Sequence, residues 1–114
     1  MATTIVTKQH DTKITFTDTP TIDDVPILLA DIATCTVSFL LRVKDAPTGI
    51  KQAAVIQANP TIPTQAQFKY DPVPTDVATI GKFRQEWELV YPSGKSLTFP
   101  NNGYNIVKIL EDLG

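Results

Sequence analysis

The chain has 114 residues, of which 42% are hydrophobic and 19% charged, and its formal net charge is −2. That is enough chain for one core but not two, and the balance excludes both an intrinsically disordered and a membrane-embedded protein. Lys and Arg are scattered along the sequence, which argues against a nucleic-acid partner, since that needs a concentrated basic surface. The N-terminal stretch MATTIVTKQHD lacks the basic start and apolar block of a signal peptide. No apolar run reaches the roughly 18 residues of a spanning helix, so membrane insertion is not expected. Cys35 is the only cysteine, so no internal disulfide forms, and synthesis in a reducing cytoplasm is the expectation.

Residues 1–11 are polar and unpatterned, which predicts a poorly ordered, flexible terminus. Residues 13–17 (KITFT) are the first predicted strand, with Ile14 and Phe16 on one face. A connection follows in which Pro20 and Pro26 exclude regular helix. Residues 34–43 (TCTVSFLLRV) give the clearest strand. Cys35, Val37, Phe39, Leu41 and Val43 form its apolar face, and Thr34, Thr36, Ser38 and Arg42 its polar one, with Leu40 the exception. Period two over ten residues does not fit a helix. Residues 45–49 carry the Pro and Gly of a chain reversal. Residues 51–58 (KQAAVIQA) are helix-compatible by propensity, but they are short and lie between breakers, so a strand is predicted.

After a loop at 59–63, residues 65–70 (QAQFKY) alternate again, with Ala66, Phe68 and Tyr70 on one side. Pro72 and Pro74 interrupt the next stretch, where Thr75 is the candidate cap of one short turn. Residues 82–91 (KFRQEWELVY) form the second long strand. Phe83, Gln85, Trp87, Leu89 and Tyr91 point inward, and Lys82, Arg84, Glu86 and Glu88 point outward. A turn at 92–95, a strand at 96–99, a break at 100–103 and a strand at 105–112 complete the chain. Seven short strands predict a single all-β domain over 1–114, a two-sheet antiparallel β-sandwich centred on the segments beginning at Thr34 and Lys82.

Few residues invite chemistry. Cys35 with His10 as its base is the candidate nucleophilic pair, yet Cys35 lies on the apolar face of the best strand and His10 in a polar terminus. One His and one Cys do not make a zinc site, and Asp23-Asp24 lacks the spacing of a calcium loop. Glu86 and Glu88 resemble a glycosidase carboxylate pair, but they share an outer face with Lys82 and Arg84, which favours cross-strand charge pairing. The glycines are single, so no phosphate-binding loop exists. Trp87, Tyr91 and Tyr104 are the aromatic candidates for a sugar platform. The first two share the inward face with Phe83 and Leu89, and Tyr104 is the one expected at the surface. No catalytic residue, metal or cofactor is therefore expected.

From Asp31 onward the sequence resembles the N-terminal immunoglobulin-like domain of phage baseplate upper proteins. The resemblance is carried by TCTVSFLLRVKD and by FKYDPVPTDVATIGKFRQEWELVYPSGKSLTFPNNGYNIVKI, with KITFTDT fitting the family's opening strand. Its motifs are short, and their order carries the match. Similar sandwiches occur as shoulder domains of phage receptor-binding proteins. The resemblance implies an immunoglobulin-like sandwich that docks onto a tail tip, here of a siphophage infecting a Gram-positive host. The chain ends at Gly114, directly after the last predicted strand, so the expectation is the docking module without receptor-binding parts. The implied partners are other tail or baseplate proteins and further copies of the chain. The implied location is the virion tail tip or baseplate, after synthesis in the host cytoplasm. The exposed candidates for partner contact are Asp23, Asp24, Asn59, Asn101, Asn102 and Tyr104. The alternative reading is a small carbohydrate-binding or adhesion module for the bacterial cell wall.

Overall fold

The computed structural model describes residues 4–43, 49–100 and 104–112, and the chain in it is all-β. Among the described residues ten strands run in chain order: β1 (Thr4–Lys8), β2 (Phe16–Asp18), β3 (Thr21–Ile22), β4 (Val25–Pro26), β5 (Thr36–Val43), β6 (Ile50–Ala58), β7 (Ala66–Tyr70), β8 (Gly81–Val90), β9 (Ser96–Phe99) and β10 (Asn105–Leu110). Single 3-10 turns at Leu29–Asp31 and Pro74–Val77 separate some of them.

The main sheet has the order β1-β10-β8-β5-β6-β7-β2, and β3 and β4 form a separate ribbon. Every pairing is antiparallel except that of β1 with β10. β8 organises the sheet. One edge carries β5, while the other carries β10 from Gly81 to Gln85 and then β9 from Trp87 to Val90.

The sheet is curled, and ring distances show by how much. β2 lies three strands from β5, about 14 Å away in a flat sheet. Yet the Phe16 and Phe39 rings are 4.9 Å apart, and Phe68 of β7 comes within 5.7 Å of Trp87 on β8. β6 makes the bend, pairing with β5 through residues 50–54 and with β7 through 55–58. The core fills the concave side, with Phe16, Phe39, Leu41, Phe68, Trp87, Leu89 and Phe99 all at or below 2% exposure. A buried amide pair fixes β10 against β8, where Asn105 Nδ2 donates to Gln85 Oε1 (2.8 Å) and reaches Asp18 Oδ2 (3.2 Å).

The predicted faces of the two long strands hold at their centres: Val37, Phe39, Leu41, Gln85, Trp87 and Leu89 are buried. At the ends they change. Cys35 precedes β5 and is only half-buried, and Val43, the last residue of β5, is 51% exposed opposite half-buried Phe83.

Three expectations need correction. Residues 4–8, assigned to a poorly ordered terminus, form β1. Its alternation is inverted, with Ile5 half-buried, Val6 exposed and Thr7 buried, so period-two reading misses it. Thr75 does not cap the 3-10 turn. It is exposed, and the Val73 N–H instead donates to the Asp76 carboxylate at 3.0 Å. The connection that carries Pro20 and Pro26, to which no strand was assigned, contains the β3–β4 hairpin.

Candidate functional site

The hairpin projects Asp23 and Asp24 at its tip. Both residues have positive φ, 52° and 64°, between the paired Ile22 and Val25. This is the handedness that a two-residue hairpin turn requires, and the short Asp side chain tolerates it. Ile22 is 41% and Val25 65% exposed, so the ribbon presents two carboxylates flanked by apolar side chains.

Its base is tied down. Ile27 N–H donates to Pro20 O, Ala66 N–H to Ile27 O, and Leu28 bridges to Gln65. Asn59 builds the neighbouring loop. Its Oδ1 accepts the N–H of Thr61 (2.9 Å) and Ile62 (3.2 Å), and its Nδ2 donates to Thr19 Oγ1 (3.0 Å). The Asn59 amide is thus engaged within the chain, joining loop 59–65 to the connection that enters the hairpin. Exposed Leu28 and Ile62 belong to this same end of the molecule.

Asp23, Asp24 and Asn59 therefore share one end, and Tyr104 precedes Asn105, whose amide reaches Asp18, the residue before Thr19. Tyr104 is half-buried just before β10, with the Arg84 guanidinium 4.3 Å over its ring. A ring covered in this way, and a Trp87 that is 1% exposed, do not offer a flat stacking surface for a sugar. Asn101 and Asn102 lie outside the described residues.

The candidate nucleophile and base are also apart. Cys35 precedes Thr36, which pairs with Val90 at one end of β8. His10 follows β1 beyond the Lys8–Leu110 pair, past the opposite end of β8, where Gly81 meets Ile109, and its N–H donates to Val77 O at 3.0 Å. Among the described residues no group of three or more His, Cys, Asp or Glu side chains could hold a metal ion.

One ionisable pair is well buried. The Tyr70 hydroxyl donates to Asp76 Oδ2 at 2.5 Å, fastening the 3-10 turn to β7. Burial, then the hydrogen bond to Asp76 and its negative charge, hold the Tyr70 hydroxyl well above the usual tyrosine range.

Charge on the convex face of the sheet follows the strand register. Lys51 Nζ meets Glu88 Oε1 at 3.0 Å and Arg42 meets Glu86 at 3.5 Å, the cross-strand pairing expected for the two glutamates. Register also places Lys82 directly opposite Lys108 and Arg84 directly opposite Arg42. Sequence reasoning placed Lys82 and Arg84 together but missed Arg42 and Lys108 beside them, because those two are distant along the chain. Only the pairing of β5, β8 and β10 brings them together. No protein-family model matches the chain, and no curated protein or solved structure does.

Proposed function

We propose that this chain is a non-enzymatic docking component of a bacteriophage tail tip or baseplate, an immunoglobulin-like two-layer sandwich that works through protein–protein contacts. The observation that supports the docking reading is the β3–β4 hairpin. It holds Ile22 and Val25 out of the core on a ribbon whose base is bonded to the body. A two-stranded ribbon is marginal by itself, and exposed apolar side chains rimmed by charge suit a protein partner. The phage-tail part of the reading rests on the sequence resemblance, carried by segments that fold here as β5, β7, β8, β9 and β10.

The mechanism is mechanical. The curled sheet, closed around its aromatic core, holds the hairpin and the strand edges in fixed relation, and the hairpin meets the neighbouring protein. Immunogold labelling of virions tests the reading. Label at the tail tip is the expected result. A chain absent from virions that binds purified wall polysaccharide would replace the proposal with the adhesion alternative.

A further inference from the structure

The convex face groups four cations, of which the two arginines have partners in the fold and the two lysines form no ion pair among the described residues. Lys82 faces Lys108 across the β8–β10 ladder, and Arg84 faces Arg42 across β8–β5. Lys82 and Arg84 stand two residues apart on the same face of β8, so the four cations are contiguous. Like charges directly opposite one another destabilise a sheet. Compensation is thin. Glu86 reaches Arg42 at 3.5 Å, and neither lysine forms an ion pair among the described residues. The Arg84 Nε is buried without a hydrogen-bond partner there, and its guanidinium is held over the Tyr104 ring. In a protein of net charge −2, this is a local cationic surface of opposite sign to the whole.

The complementary surface is the hairpin tip, with Asp23 and Asp24 side by side and exposed, flanked by Ile22 and Val25. The cationic patch has exposed apolar neighbours of its own. Val6 pairs with Lys108 in register and is 57% exposed, and Leu110 is 47% exposed.

Neither Asp23 nor Asp24 forms an ion pair among the described residues, so the hairpin tip keeps its charge for a partner.

We infer that the occupant of the cationic patch is the acidic hairpin of a second copy of this chain. The inference rests on the docking reading and deepens it by naming the partner. The Asp23 and Asp24 carboxylates lie against Lys82, Lys108 and Arg84, and Val25 lies against Val6. Two different surfaces meet, so copies add head to tail and close into a ring where the rotation permits. The contact is small and charge-led, hence weak and salt-sensitive until several copies are held together in an assembly.

Charge exchange tests this with the full chain. The parent protein should self-associate in sedimentation experiments as concentration rises to about 1 mM, and an increase to about 0.5 M salt should disperse it. K82E/K108E and D23K/D24K should each be monomeric alone, with self-association weakened about tenfold or more. Mixed in equal amounts they should associate again, because each then offers the charge the other lacks. D23N/D24N keeps residues suited to positive φ and should also be monomeric, which separates loss of charge from loss of the turn.

A parent that stays monomeric throughout, or variants that associate as the parent does, would overturn the inference. So would failure of the mixture to associate, or a patch that instead binds a single-stranded oligonucleotide and loses it in K82E/K108E. A monomeric parent that still labels at the tail tip would defeat this inference alone, whereas absence from virions would defeat the docking reading.

Discussion

Replacing Tyr70 with Phe isolates the hydrogen bond between β7 and the Pro74–Val77 turn. The ring stays, with its stacked contact to Phe39 (4.5 Å between centroids, 18° between planes), so packing is nearly unchanged. What is lost is the 2.5 Å hydroxyl donor to the buried Asp76 carboxylate, which keeps only the Val73 N–H. A hydrogen bond to a charged group contributes about 1.5–3 kcal/mol. At about 2.1 cal/mol/K per residue, 114 residues unfold with an entropy of about 0.24 kcal/mol/K, so a loss of about 2 kcal/mol lowers Tm by about 8 °C.

The same bond predicts an alkaline signature. Because the folded Tyr70 holds its proton above the ordinary range, both states carry it below about pH 10, and no pH dependence arises from this group there. Above that, the unfolded tyrosine releases its proton first, the folded state binds more protons, and stability falls as pH rises. Thermal unfolding followed by circular dichroism at neutral pH and from about pH 9 to about pH 11 reads both effects. Y70F should start lower and lose less on the alkaline side. A Tm within about 2 °C of the parent at neutral pH, or an identical alkaline decline, would refute the reasoning.

Phe39 is fully buried and touches the rings of Phe16, Tyr70 and Trp87, so Phe39→Ala should cost about 3–5 kcal/mol in urea denaturation. An unchanged midpoint would mean that this cluster is not the core. Asn105→Ala strips Gln85 Oε1 of its donor inside the sheet and should cost about 1–3 kcal/mol, while exposed Thr98→Ala on the convex face should cost under about 0.5 kcal/mol. Equal losses in the two variants would show that the buried amide pair contributes nothing.

The interior was readable because β5 and β8 alternate cleanly where both neighbours are present, so period two named Phe39, Leu41, Trp87 and Leu89. It failed at edge strand β1 and at rim positions. β1 points Thr7 inward and Val6 outward, and Val43 ends its strand in solvent. β3 and β4 are two residues each, too short for any period, and their turn uses Asp-Asp rather than a glycine-bearing pair. The candidate site was partly legible for the same reason. Asp23 and Asp24 lie at an exposed tip, but the amide of Asn59 is engaged in holding its own loop, and Tyr104 sits under Arg84. Sign alternation along β8 showed that Lys82 and Arg84 face outward. It could not show Lys108 and Arg42 beside them, because register is a property of paired strands.

β1 offers the sharpest test of the edge of the sheet. It pairs in parallel from Thr4–Ile106 to Lys8–Leu110, and Ile5 packs against the core. Deleting residues 1–8 removes ladder bonds each contributing about 0.5–1.5 kcal/mol, but it also removes the ordering cost of about 1–2 kcal/mol for each residue held in the strand. Those terms nearly cancel. The remaining loss is the half-buried Ile5 side chain, on the order of 1 kcal/mol. The thermodynamic effect is therefore modest, and the larger consequence is chemical. β10 carries Val107 and Ile109 in the core and exposes Leu110, and without β1 its backbone donors and acceptors become an open apolar edge. The truncated chain should unfold only about 4 °C lower, yet aggregate or exchange strands at concentrations where the parent remains clear. Light scattering during a slow thermal ramp separates the two effects. A truncated chain with unchanged Tm and no added scattering would show that β1 neither packs on the core nor guards the edge, and that residues 4–8 behave as the loose terminus their polar sequence suggests.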